Sequence, residues 1–119
     1  MKNVKTNPEI IDLIRELKIA GRERKEDIWR DVADRLERSR ARAAQVNVGK
    51  LSKIVGSGEI ALVPGKVLGA GIIDKSISVA ALSFSDSAYQ KLLASGSEAI
   101  SIGELLKNDP DVRRIRIVG

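Results

Sequence analysis

The chain contains no cysteine and no histidine, and its aromatic content is limited to Trp29, Phe84 and Tyr89. Without Cys there is no disulfide framework, no thiolate zinc site and no Cys nucleophile, a usage that fits a reducing compartment. Without His, the side chain that most often serves acid–base chemistry, metal ligation and the activation of Ser or Cys is missing. A Ser–Lys pair could replace a triad, but no S-x-x-K occurs. No apolar run approaches the ~18 residues of a membrane span, and the opening M-K-N-V-K-T-N-P lacks the apolar core of a signal peptide. The expectation is a cytosolic protein that is not an enzyme, with no cofactor, metal, membrane or small-molecule substrate.

What is present is basic charge in one place. Residues 38–58 carry Arg38, Arg40, Arg42, Lys50 and Lys53 and no acid, a charge equal to the net +5 of the whole chain. Guanidiniums held close together raise one another's energy unless an anion answers them, so R-S-R-A-R reads as a footprint for polyphosphate. A solvated basic hinge would carry the same residues. The acids lie mainly before this stretch, at Glu9, Asp12, Glu16, Glu23, Glu26, Asp27, Asp31, Asp34 and Glu37. Interleaved with Arg and Lys at helical spacing, they read as solvated faces with i,i+4 pairs rather than catalytic carboxylates.

A chain of 119 residues suits a single domain, able to bury roughly two-thirds of the surface it exposes when unfolded. Its pattern changes near residue 45, which divides it into a helical part with the basic hinge (1–45) and an α+β core (46–119). Asn7, Pro8 and Glu9 form a helix start, as N-cap, first helical residue and dipole partner. Ile10, Ile11, Leu13, Ile14 and Leu17 supply an apolar stripe and Gly21 a stop. A second helix over Glu26 to Arg38 turns Ile28, Trp29, Val32, Ala33 and Leu36 inward. Neither stripe can stay wet, so the pair is expected to pack on the remainder of the chain.

After the hinge, Asn47 caps a short helix through Lys53, with Val48, Leu51 and Ile54 inward and Lys50 and Lys53 outward. Strands are expected at Glu59–Val63, Lys66–Leu68 and Ser76–Leu82, separated by Pro64-Gly65 and Gly69-Ala70-Gly71. Ser85-Asp86-Ser87 opens a helix to about Ala94, closed by Gly96. A strand at Ala99–Ser101, a helical turn at Ile102–Lys107 and a strand at Arg113–Val118 complete an α+β fold with a small mixed sheet. The turn V-P-G-K-V-L-G-A-G fails the Walker order, because Lys66 follows the first glycine and Val67 follows the lysine. Its glycines fit tight turns or close backbone approach, and Lys66 beside them suits a nucleic-acid phosphate.

Six blocks follow one another from Thr6 to Val118 without large insertions: N-P-E-I-I-D-L-I-R-E-L-K, W-R-D-V-A-D-R-L-E-R, V-N-V-G-K-L, V-P-G-K-V-L-G-A-G, V-A-A-L-S-F-S-D-S-A and R-R-I-R-I. In that order they strongly resemble the archaeal and eukaryotic large-subunit ribosomal protein eighteen-e family, relatives of bacterial ribosomal protein fifteen. The compact length resembles an archaeal member. One departure is R-S-R-A-R-A, where the family often carries a proline among the arginines. The resemblance implies a structural protein of the large ribosomal subunit, with irregular β-β-α repeats beside N-terminal helices. It also implies large-subunit ribosomal RNA and neighbouring large-subunit ribosomal proteins as partners. The RNA-binding residues it implies are Lys2, Lys5, Asn7, Arg38, Arg40, Arg42, Asn47, Lys50, Lys53 and Lys66, then Ser83, Ser85, Arg113, Arg114 and Arg116.

Lys and Arg would supply sequence-independent phosphate affinity, while Asn47 and the serines would fix register on phosphates or 2′-hydroxyls. With so few rings, stacking contributes little. Trp29 and Phe84 fall on apolar faces and read as core, leaving Tyr89 as the ring most able to reach RNA. Two competing functions exist. A helix-turn-helix DNA-binding regulator could use the helix pair, although the second helix has as many acids as bases. A nucleotide-handling enzyme at the glycine-rich turn lacks a base, a magnesium-binding pair and a complete motif.

Overall fold

The computed structural model describes residues 8–38 and 44–119. The expected N-cap Asn7 and the basic residues Lys2, Lys5, Arg40 and Arg42 lie outside the described residues. The chain forms two compact units, Met1–Ala43 and Ala44–Gly119.

The first unit is a pair of helices, α1 (Pro8–Glu23) and α2 (Asp27–Arg38). Proline suits the opening of α1, where its missing N–H is not needed. Leu17 and Ala20 are buried, Ile10, Leu13 and Ile14 are half-buried, and Ile11 is 40% exposed. Ile11 therefore falls off the inward stripe, because the i, i+3, i+4, i+7 series runs through Ile10, Leu13, Ile14 and Leu17. Gly21 does not stop the helix. It is buried, and a Cβ there would run into the Arg30 side chain of α2.

The stop comes later. Lys25 takes φ +57 and Glu26 N donates to Gly21 O at 3.1 Å, the six-to-one bond of a Schellman ending with Lys25 at the left-handed position. A side chain costs energy there and glycine does not. Lys25→Gly is therefore expected to raise stability by roughly 0.5–1 kcal/mol, read as a higher urea midpoint; a lower midpoint would refute the capping account.

In α2, Trp29, Val32, Ala33 and Leu36 are buried, as their spacing predicts. Trp29 is fully buried and its Nε1 donates to Glu26 Oε1 at 2.7 Å, so its one polar atom is satisfied. Outward-facing acids and bases pair as Arg15–Asp12, Lys18–Glu37, Arg35–Asp31 and Arg38–Asp34. Exposed pairs of this kind contribute at most about 1 kcal/mol each.

The second unit runs β1 (Ala44–Asn47), α3 (Val48–Ile54), β2 (Ile60–Leu68), β3 (Ser78–Phe84), α4 (Asp86–Ala94), β4 (Glu98–Ser101) and α5 (Ile102–Lys107). A 3-10 turn at Val112–Arg114 and β5 (Ile115–Ile117) end it. The sheet order is β1-β2-β3-β4. β3 takes one edge of β2, and the other edge is shared by β5 along Ile60–Leu62 and β1 along Gly65–Leu68. The α+β architecture stands, but every described pairing is parallel where a mixed sheet was expected. The misleading stretch is residues 69–77. A parallel connection usually needs a dozen or more residues and a helix, whereas these nine have none. Fully extended they reach about 30 Å, enough to return along β2.

β2 is also one strand, not two. It passes through Pro64-Gly65 with a register shift against β3 between Val63 and Lys66. Proline's missing N–H falls where the edge passes from β5 to β1, and the extra residue forms a bulge. Gly65 is required there because a Cβ would collide with the backbone of Ala44. Gly65→Ala is expected to push β1 off β2 at a cost of about 1–3 kcal/mol, with exchange accelerated at the β1 amides that bond to β2. Unchanged exchange at those amides would rule this out.

The core joins Val46, Val63, Val67, Val79 and Ala81 of the sheet to Val48 and Leu51 of α3 and Ala88 and Leu92 of α4. Phe84 packs against it, as expected of a core ring, while Tyr89 is 43% exposed with its centroid 6.4 Å from that of Phe84. Ser85 caps α4 by accepting from Ala88 N, and Ser101 with Glu104 forms a capping box on α5.

Candidate nucleic-acid interface

The glycine-rich turn sits at the C-terminal end of β2, between the starts of α3 and α4. Gly49 N donates to Ala70 O at 3.0 Å, and a Cβ on Gly71, which has φ +95, would lie 2.6 Å from Gly49 Cα. Gly69 meets Ser87 at the start of α4 so closely that a Cβ would overlap it. Lys91 of α4 donates from Nζ to Gly69 O at 2.6 Å and Gly71 O at 2.8 Å. Beyond the turn the chain follows α3. Ser52 Oγ donates to Asp74 Oδ1 and accepts from Asp74 N, and Lys75 Nζ donates to Val55 O. These glycines serve close backbone approach, and the carbonyls of the turn point at Lys91 and Gly49. A phosphate cradle needs convergent N–H groups instead.

The expected RNA-binding residues divide by what they already touch. Arg38 pairs with Asp34 at 3.1 Å. Arg113 makes a two-pronged contact with Asp111, Arg114 Nε donates to Gly58 O, and Arg116 donates to Ile54 O and lies 3.7 Å from Glu59. The bond to Ile54 O satisfies a carbonyl at the end of α3. Hydrogen bonds from the Arg113 side chain, then its backbone, hold the Asp111 carboxyl below its ordinary pKa. The Ser85 hydroxyl is engaged as the α4 cap.

Lys50, Lys53 and Lys66 differ. All three are exposed and make no hydrogen bond or ion pair among the described residues. Asn47 is exposed at the start of α3, and its side chain makes no cap hydrogen bond. Lys50 and Lys53, three apart, share one face of α3, which packs Val48 and Leu51 onto the Val46–Val67 face of the sheet. Lys66 belongs to the other face. It stands in register with Gln45 on β1 and Ser83 on β3, and all three are exposed. The structure therefore brings Lys66 and Ser83 together, sets Lys50 with Lys53 on a separate surface, and engages the arginines of the 3-10 turn and β5 elsewhere.

Two residues escaped the sequence reading. Gln45 lies inside the basic stretch, and the alternation Gln45-Val46-Asn47 is the strand signal that could have found it. Lys91 had no local signal, since its partners are 20 and 22 residues away. Among the described residues no group of three or more His, Cys, Asp or Glu could hold a metal ion, and no helix is long and apolar enough to cross a membrane.

No family model matches the chain. Near full-length relatives do. It is 46% identical over 117 residues to the large ribosomal subunit protein eL18 of Methanospirillum hungatei, covering 98% of this chain and 97% of that one. The protein of the same name from Methanopyrus kandleri is 48% identical over 118 residues, with 95% and 93% covered. That of Halobacterium salinarum is 40% identical over 114 residues, with 96% and 97% covered.

Proposed function

The chain belongs to the large ribosomal subunit protein eL18 family, and from that premise we propose that it is a structural, non-enzymatic constituent of the large ribosomal subunit in the cytoplasm. The observation that carries this reading is identity of 40–48% spread over nearly the whole of both chains. Its partners are large-subunit ribosomal RNA and neighbouring large-subunit ribosomal proteins. On RNA, Lys50, Lys53 and Lys66 supply phosphate affinity through counterion release, and Asn47 and Ser83 donate to phosphates or 2′-hydroxyls. Arg38, Arg40 and Arg42 with Lys2, Lys5 and Asn7 add further RNA contacts, and Ser85, Arg113, Arg114 and Arg116 contribute once their intramolecular partners yield. Nothing favours the helix-turn-helix DNA-binding alternative, because Arg35 and Arg38 of α2 are matched by Asp31 and Asp34 on the same helix.

The test is binding to a transcript of archaeal large-subunit ribosomal RNA beside an equally long unrelated structured RNA, across a range of salt. The expected result is a preference for the ribosomal transcript that persists at high salt, where non-specific phosphate affinity fades. Two affinities that are equal throughout and collapse together would reject this function.

A further inference from the structure

Parallel strands hold in-register neighbours about 4.8 Å apart, so Gln45, Lys66 and Ser83 form a row roughly 10 Å long with its cation at the centre. The adjacent register row is Val46, Val67 and Phe84, of which the first two are buried and the third packs on the core. The core side of each strand is thus filled, and the three polar side chains are held outward by backbone geometry. None of them has a hydrogen-bond or ion-pair partner among the described residues.

The chemistry of the row is mixed in a particular way. Lys66 is donor only and suits a phosphate oxygen. Gln45 and Ser83 each both donate and accept, which matches the ribose 2′-hydroxyl, itself donor and acceptor. A carboxylate surface would answer Lys66 and leave the carboxamide and hydroxyl without distinctive partners. Resting on the ribosomal RNA reading above, we infer that this row grips an RNA ribose–phosphate backbone, Lys66 on a phosphate and Gln45 and Ser83 on flanking 2′-hydroxyls. Gln45 is thereby an RNA-contacting residue, and the row is what tells RNA from DNA. Lys50 and Lys53, on α3, add affinity without adding this discrimination.

The full chain would first be footprinted on the large-subunit ribosomal transcript, and the protected segment then synthesised with ribose and with 2′-deoxyribose. The wild type is expected to prefer the ribose form by about tenfold, the worth of one or two hydrogen bonds. The double variant Gln45→Ala/Ser83→Ala should lose most of that preference while keeping the wild-type salt slope. Lys66→Ala should keep the preference and lower the slope by roughly 0.7–0.9. Gln45→Glu, which sets a negative charge beside the phosphate, should weaken both forms. Matching thermal melts identify these as binding effects. A double variant with full ribose preference overturns the row and leaves the ribosomal reading standing, whereas a wild type that protects no segment of the transcript removes both.

Discussion

Trp29→Ala is expected to destabilise the protein by about 3–5 kcal/mol, the range for deleting a fully buried large ring. Trp29 is completely shielded from solvent on α2, in the same stripe as Val32, Ala33 and Leu36. Truncation removes that packing and leaves a cavity, and it strands the Glu26 carboxylate that now accepts from Nε1 at 2.7 Å. The melting temperature should fall on the order of 10–20 °C for a chain of this size. Trp29→Phe separates the two contributions: it keeps most of the apolar volume, loses the hydrogen bond, and should cost about 1–2 kcal/mol. Urea denaturation of both variants decides the matter. An alanine variant as stable as wild type would show that the ring is not a core anchor.

Replacing Lys50, Lys53 and Lys66 together by alanine should leave stability within about 0.5 kcal/mol, because all three are exposed and unpaired among the described residues. RNA affinity should fall, and its logarithmic salt slope should flatten by roughly two to three, at about 0.7–0.9 for each phosphate no longer neutralised. Over a fourfold rise in salt the wild type should therefore lose roughly 30-fold more affinity than the variant. A triple variant with the wild-type slope would mean that these lysines are merely solvated. Arg113→Ala and Arg114→Ala should change the slope less, since Asp111 and Gly58 O already engage those guanidiniums.

The local parts of this molecule were legible in the sequence because their causes are local. The α2 stripe, the outward Lys50 and Lys53, and the S-D-S start of α4 each follow from spacing or capping within one or two turns, and each is where the spacing puts it. The errors have non-local causes. Gly21 reads as a helix stop because glycine often is one, and only the approach of Arg30 explains its presence inside α1. Pro64-Gly65 reads as a break between strands, and only pairing with β1, β3 and β5 makes it a bulge within one strand.

The charge of residues 38–58, the lack of His and Cys, the helix pair and the order of the ribosomal blocks were determined by the sequence alone, since each is a property of residue identity and spacing. Strand partners were decided only by tertiary structure. Parallel register joined Gln45, Lys66 and Ser83, which lie 21 and 17 residues apart along the chain, and packing set the exposed Lys91 against the carbonyls of the glycine turn. The physical reason is that hydrogen-bond ladders and close backbone approach depend on which segments meet, and no local periodicity encodes that meeting.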